Sequence, residues 1–296
     1  MKFFHLSNIK QLLYFVQNRG RQGTNENQRE EKVVFSYFKP TKPIKKKLLR
    51  NTFLCCIGIF YALSVAATDE LPEGFDLPLF SADYEVFLMG LHISNARRSL
   101  KQVGPKRFLL KTEMELTGVA SWIRSDVINI SSLWEWQDNH AMRPLQYRYA
   151  HQGKKKQRSQ RIDFDWDKQQ AHSQKNQEQW LLALQPGTLD PLLSYLMLIR
   201  NLQQGKIADF RFLLAEKNEV KYFTLKYEGE ETLKTKLGNL KTLKFSRINP
   251  DNPERHSAMW CAPDLRYLPV RIDHTEPGNK TISAWISQIN HLDRVQ

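Results

Sequence analysis

An alternation of apolar and polar residues with a period of two runs through most of the chain after residue 80. In residues 108–117, Phe108, Leu110 and Met114 share one face. Lys111 and Glu113 share the other. This pattern is typical of a strand with one buried and one solvated face, and it recurs between turn residues as far as residue 292. The sequence therefore predicts a succession of short antiparallel strands.

One segment departs from this alternation. Residues 189–202, LDPLLSYLMLIRNL, carry apolar residues at helical spacing. Asp190 or Thr188 is a candidate N-cap, Pro191 suits the first turn, and Gly205 supplies the stop. A single apolar helix among amphipathic strands has to be buried against the sheet. We therefore predict a mainly β fold, a curved antiparallel sheet or half-open β-barrel, with one buried helix at about residues 189–202.

Residues 48–67, LLRNTFLCCIGIFYALSVAA, contain the parts of an export signal. Basic residues surround its start, an apolar core follows at residues 53–63, and small residues end at Ala67. The apolar core is shorter than the roughly 20 residues that cross a bilayer. We predict a Sec-type signal peptide cleaved after Ala67, with no transmembrane span in the remaining chain. An uncleaved anchor is the alternative.

The signal sets the expected organisation of the chain. Residues 1–44 are a polar leader extension, disordered or not translated, and residues 45–67 are the signal peptide. Residues 68–79 are a lead-in linker, and residues 80–296 are a single β-rich domain. The expected location is the periplasm or cell envelope.

The net charge of +13 suggests a nucleic-acid partner at first sight. Most of that excess precedes residue 68, because the first 67 residues contain 12 Lys and Arg but 3 Asp and Glu. The rest of the chain has a net charge of about +4. Nucleic-acid binding depends on clustered Lys and Arg, so we predict no nucleic-acid partner.

Several segments are similar, in order, to one family of exported bacterial proteins. They are the helix from Asp190 to Arg200, the charged strand, Gly turn and second strand of residues 227–247, and MWCAPDLRYLPVRIDHTEPG at residues 259–278. The strand opening at residue 80 fits as well. On these segments the chain resembles the family called domain of unknown function 3108. The resemblance implies an exported, partly open, barrel-like β domain with no established activity.

Residues with recognisable reaction chemistry are few. Asp163, Asp165 and Asp167 resemble the start of a calcium loop, but the required Gly and Glu do not follow, which favours a solvated strand face. The seven histidines after residue 67 lack the spacing of two ligands on one helix face. Cys261 is the one cysteine outside the signal, so no internal disulfide is expected. We predict no catalytic residue, metal site or cofactor. A non-enzymatic function is favoured over an enzymatic one.

Arg200, Tyr195, Trp166 and Trp260 are the predicted ligand-binding residues. Arg200 either forms an ion pair facing the sheet or meets an anionic head group at the mouth of a cavity. The aromatic side chains either fill the core or line an apolar cavity, the usual form of a small-molecule site.

Three functions follow from this pattern. The favoured one is binding of a lipid or another apolar or amphipathic small molecule on the concave face of the sheet. The second is docking of another envelope protein, with the core closed by the helix. A hydrolase with a site assembled across strands is the third.

Overall fold

The computed structural model describes residues 71–116, 126–153, 157–249 and 252–293. The predicted leader and signal lie outside these ranges. Within them the chain forms one α-helix, one short 3-10 helix and fifteen strands. The strands are β1 (Phe80–Leu88), β2 (Leu91–Gly104), β3 (Arg107–Leu116), β4 (Val127–Trp136), β5 (Met142–Gln152), β6 (Gln157–Asp165), β7 (Gln170–Lys175), β8 (Glu178–Ala183), β9 (Thr188–Leu189), β10 (Phe210–Glu216), β11 (Glu219–Thr235), β12 (Gly238–Asn249), β13 (Asn252–Ala262), β14 (Leu268–Glu276) and β15 (Lys280–Leu292).

These strands form one large curved sheet that does not close into a barrel. The order is β8-β7-β6-β5-β4-β3-β2-β1-β15-β14-β13-β12-β11-β10-β9, so the first and last strands of the chain pair in the middle of the sheet. Neighbouring strands are antiparallel except β9 and β10, which are parallel. The predicted mainly β fold with a half-open curved sheet is confirmed.

The curvature brings distant parts of the sheet together. The hydroxyl of Ser173 on β7 donates a hydrogen bond to the carbonyl of Lys217, in the turn between β10 and β11. Lys217 also lies 3.4 Å from Glu178 at the start of β8. Because β7 and β10 stand near opposite edges of the sheet order, these contacts show that the two edges curl toward each other.

The helix α1 covers Leu193–Gln203, so the predicted start at residue 189 was four residues too early. Residues 188–189 form β9 and are held by β10 instead. Asp190 then caps the helix as predicted, because its Oδ1 accepts hydrogen bonds from the backbone N–H groups of Leu192 and Leu193 at 2.8 and 2.9 Å. The buried face of the helix consists of Leu193, Ser194, Leu196, Leu198, Ile199 and Leu202.

The segment before β1, residues 71–79, packs against one end of the sheet interior. Phe75 stacks on Phe108 at the start of β3, with ring centroids 4.3 Å apart, and meets Trp136 at the end of β4 edge-on at 5.2 Å. Leu77 is 1% exposed. We call this end, where β3 begins and β4 ends, the closed end.

Phe75→Ala should lower the free energy of unfolding by about 3–5 kcal/mol, since it removes a buried ring from the closed end. Denaturant unfolding followed by tryptophan fluorescence measures the change. Leu71→Ala is the control, because Leu71 is 44% exposed, and it should cost less than about 0.5 kcal/mol. Equal effects of the two variants would show that the segment before β1 does not hold the closed end together.

Candidate ligand-binding site

The opposite end of the interior is packed less tightly than the closed end. On β3, Phe108 and Leu110 are buried, whereas Met114 near its end is half-buried. On the antiparallel neighbour β4, Trp134 opposite Phe108 is buried, whereas Ile128 opposite Met114 is half-buried. The concave face therefore reaches solvent where β3 ends and β4 begins, and we call this the open end.

Tyr195, on the first turn of α1, is accompanied by two arginines of the concave face. The guanidinium carbon of Arg98 on β2 lies 5.5 Å from the centroid of the Tyr195 ring. Its Nε donates a hydrogen bond to Oγ1 of Thr112 at 3.0 Å. Arg247 on β12 stacks its guanidinium on the ring of Phe223, 4.1 Å from the centroid.

The charge of Arg247 is only partly compensated. Burial lowers the pKa of Arg247 below its ordinary value, and the nearby Glu216 carboxylate and Tyr195 phenol oppose that change. Glu216 is itself buried, with Lys221 Nζ 3.5 Å from its carboxylate. Within the described ranges, neither Arg98 nor Arg247 has a carboxylate within ion-pair distance. The open end therefore holds two guanidinium groups that no described carboxylate approaches to ion-pair distance.

Further cations face the interior at this end. Burial lowers the pKa of Lys175, on β7, to about 8, and the neighbouring charges of Lys217 and Arg158 lower it in the same direction. Tyr149, on β5, is buried, and its hydroxyl has no hydrogen-bond partner in the part of the chain that the structure describes. Burial raises the pKa of the Tyr149 phenol. These groups add positive charge and an unsatisfied hydroxyl to the open end.

Arg200 lies at the closed end, away from this cluster. Its Nε donates to both carboxylate oxygens of Asp76, at 2.8 and 3.0 Å, and its Nη1 donates to the carbonyl of His140 at 2.7 Å. The guanidinium also stands 4.6 Å from the ring centroid of Trp136. The geometry is that of the ion-pair alternative, in which Arg200 ties the segment before β1 to α1.

Trp260 lies on the outer face of the sheet and not on the concave face. Its neighbour Met259 faces the interior, so Trp260 points the other way along β13. The ring is stacked between Lys244 and Arg271, and its Nε1 donates to Glu231 at 2.8 Å. Its position on the outer face therefore does not support the predicted contact of Trp260 with a ligand on the concave face.

Trp166 lies at the closed end, in the turn after β6. Its Nε1 donates to the carbonyl of Pro144 at 2.7 Å, and its ring stacks on Phe164 with centroids 6.1 Å apart. Of the four residues predicted to bind a ligand, Tyr195 is therefore the one at the open end.

Sequence reasoning did not single out Arg98, although a signal was present. The alternation on β2 places Arg98 on the same face as Ala96 and Leu100, both buried. Arg247 follows Phe245, which is buried, by two positions on β12. A period-two argument could therefore have assigned both guanidinium groups to the concave face.

A second arrangement that the sequence did not reveal is a buried histidine–aspartate pair. Nε2 of His151 lies 3.0 Å from Oδ2 of Asp126, and both side chains are almost fully buried. A histidine base that activates a nucleophile needs a hydroxyl or thiol in hydrogen-bond contact. In the described residues Nδ1 of His151 has no such partner. Among the described residues, therefore, no nucleophile completes this pair as a hydrolytic site.

Comparison with known proteins places this architecture in a family. The family described as "Protein of unknown function (DUF3108)" matches residues 80–284. The chain belongs to the DUF3108 family. The resemblance inferred from the helix and its flanking strands is thereby confirmed. None of the curated proteins matches this DUF3108 chain.

Solved structures similar to the DUF3108 chain include two bacterial proteins. One is a β-barrel-like protein of domain of unknown function DUF1849 from Brucella abortus, at 9% identity and a TM-score of 0.49, covering 73% of this chain and 98% of that one. The other, from Parabacteroides distasonis, is described as a candidate lipoprotein, at 10% identity and a TM-score of 0.28, covering 74% and 97% respectively. Both TM-scores are below 0.5, so neither structure bears on function.

Two further findings concern the described residues of the DUF3108 chain. No group of three His, Cys, Asp or Glu side chains among them is arranged to hold a metal ion. No helix among them is both long enough and apolar enough to cross a membrane.

Asp190 is the most strongly perturbed acid near the start of α1. Burial raises its pKa from the ordinary value of 3.8 to about 6, although hydrogen bonds from Ser132 Oγ, at 2.5 Å, and from the helix N-terminus oppose the change. The folded DUF3108 domain thus binds this proton more tightly than the unfolded chain does. Stability is greatest with Asp190 protonated and falls as the pH rises through this window.

In the wild-type protein, ionisation of Asp190 should lower the free energy of unfolding by about 3 kcal/mol in total between about pH 3 and pH 7, with most of the decline between pH 4 and pH 6. Asp190→Asn should remove this decline, because the amide keeps the cap without titrating. Denaturant unfolding at several pH values measures both slopes. Parallel slopes for wild type and variant would rule out Asp190 as the titrating group.

Proposed function

We propose that this DUF3108 protein is exported and binds an apolar or amphipathic, lipid-like molecule on the concave face at the open end, without catalysis. The observation that carries the proposal is a group of half-buried apolar side chains on the concave face at the open end. They are Met114 at the end of β3, Ile128 and Ile130 at the start of β4, and Phe223 on β11, whereas Val86, Leu88 and Tyr149 at the same end are buried. Accessible apolar surface on a concave face is the usual setting for a small-molecule site.

The length of the helix supports this proposal. With 11 residues, α1 is about 16 Å long, whereas the 13 residues of β15 extend about 43 Å. The helix therefore covers a fraction of the concave face. The segment before β1 covers the closed end, and a ligand is proposed to cover the open end.

The sequence supports the exported location. Residues 45–67 have the charge, apolar core and small-residue exit of a Sec-type signal, and the described domain begins shortly after them. The proposed compartment is the periplasm or cell envelope, where apolar and amphipathic envelope components are available as ligands.

The proposal is tested by native mass spectrometry of the full chain, purified from its envelope without detergent and then extracted with solvent. The expected result is reproducible extra mass that extracts as one lipid class. Ile130→Glu, which puts a charge on the concave face, should abolish the extra mass. Ser131→Glu, on the other face of the same strand, should retain it.

Circular dichroism checks that both variants are folded. A bare polypeptide mass for the wild type in repeated preparations would contradict ligand binding. It would favour the second function, docking of another envelope protein on this face. Extra mass retained in both folded variants would place the ligand elsewhere on the protein.

A further inference from the structure

We infer that the open end binds a single anionic group, a carboxylate or a phosphate, through Arg98 and Arg247 beside Tyr195. This inference rests on the proposed function and names the head group of its ligand. It assigns the apolar part of the ligand to the half-buried side chains of β3, β4 and β11, and the charged part to the two guanidinium groups.

The first argument is the contrast between consecutive arginines on β2. Arg97 points outward and holds both carboxylate oxygens of Asp83, at 2.7 and 3.1 Å. Arg98 points inward, and its hydrogen-bond partner among the described side chains is the neutral hydroxyl of Thr112. A guanidinium has five N–H donors in a fork that fits a carboxylate or a phosphate, and a single bond to Thr112 leaves most of them available.

The second argument is the surroundings of Arg247. Its guanidinium is stacked on Phe223 and largely removed from water, and the described chain offers it no carboxylate at ion-pair distance. The carboxylate that acts on the pKa of Arg247 is that of Glu216, which lies 3.5 Å from Nζ of Lys221. Burying a cation without an anion costs free energy, and charges left in this state are found preferentially at binding sites.

The third argument is that both arginines face the interior at the same end. Arg98 lies 5.5 Å from the Tyr195 ring, and Arg247 stands two residues after the buried Phe245 on β12, stacked on Phe223. The inference places one anion beside Tyr195, with hydrogen bonds from both guanidinium groups.

The chemistry of the site favours an amphipathic anion. Guanidinium groups form their strongest hydrogen bonds with carboxylate and phosphate oxygens, and those bonds are stronger away from water. Half-buried apolar side chains lie on the neighbouring strands. A fatty-acid-like carboxylate and an alkyl phosphate each supply both an anion and an apolar chain, whereas free inorganic phosphate supplies the anion alone.

Calorimetric titrations of the full chain with four probes test the need for an anion and the need for an apolar chain separately. All probes are used at concentrations below micelle formation. They are dodecanoate, dodecyl phosphate, uncharged dodecanol and inorganic phosphate. At least one charged amphiphile should bind about tenfold or more tightly than dodecanol, since hydrogen bonds to charged groups contribute that much.

Arg98→Gln and Arg247→Gln should each remove most of this preference. Arg97→Gln is the matched control and should keep the full preference, because it changes the same charge one residue away on the outer face. The melting temperature of the free protein gives a second readout. Removal of an unpaired cation should leave that temperature unchanged or raise it, whereas loss of a structural arginine would lower it.

The outcomes distinguish this inference from the proposed function. Equal affinity for dodecanol and the charged amphiphiles would overturn the anion site and leave apolar binding intact. Binding of inorganic phosphate alone, lost in Arg98→Gln, would support the anion site and contradict an amphipathic ligand. A preference that survives in the folded double variant of Arg98 and Arg247 would overturn the assignment, and no binding by any probe would overturn both.

Discussion

The apolar surface of α1 has to be covered on every side, and the curvature of the sheet is what covers it. A flat sheet would bury one side of the helix, whereas the curled sheet surrounds it and brings β7 close to the turn after β10. Because the helix is much shorter than long strands such as β15, other groups must cover what remains of the concave face. At the closed end the aromatic cluster around Phe75 does so, and the open end is left with half-buried side chains. The asymmetry of the molecule follows from this one constraint.

The distribution of charge follows the same asymmetry. At the closed end, Arg200 meets a carboxylate, a carbonyl and an aromatic ring at once, so its burial is compensated. On the outer face, Arg271 is stacked on the rings of Trp260 and Trp285 and hydrogen-bonded to Asp273. Arginines that hold the fold together thus have partners within the chain. At the open end, Arg255 is paired with Glu276, whereas Arg98 and Arg247 are stacked on aromatic rings or hydrogen-bonded to a neutral group, an arrangement suited to receiving an anion from outside.

Local pattern was enough to predict the fold but not the positions of the site residues. The succession of strands was predicted to continue as far as residue 292, where β15 ends, because the alternation is a local property. The helix start was missed because β9 is fixed by β10, which comes later in the chain. For Arg200 the sequence left an ion pair and a ligand role both open, because its partner Asp76 is 124 residues away. Trp260 was placed on the wrong face because β13 ends in buried residues on both faces, which hides the alternation.

The pairing of β1 with β15 has a consequence for how the chain folds. It joins residue 80 to residue 292, so the centre of the sheet cannot form until almost the whole chain is present. Contacts between residues this far apart in sequence slow folding, because a long loop must close before the contact stabilises anything. Until β15 arrives, one edge of β1 has no partner and can pair with other chains. A chain that crosses a membrane unfolded, N-terminus first, would reach its destination with this edge exposed, and the last strand to emerge would be the one that completes the sheet.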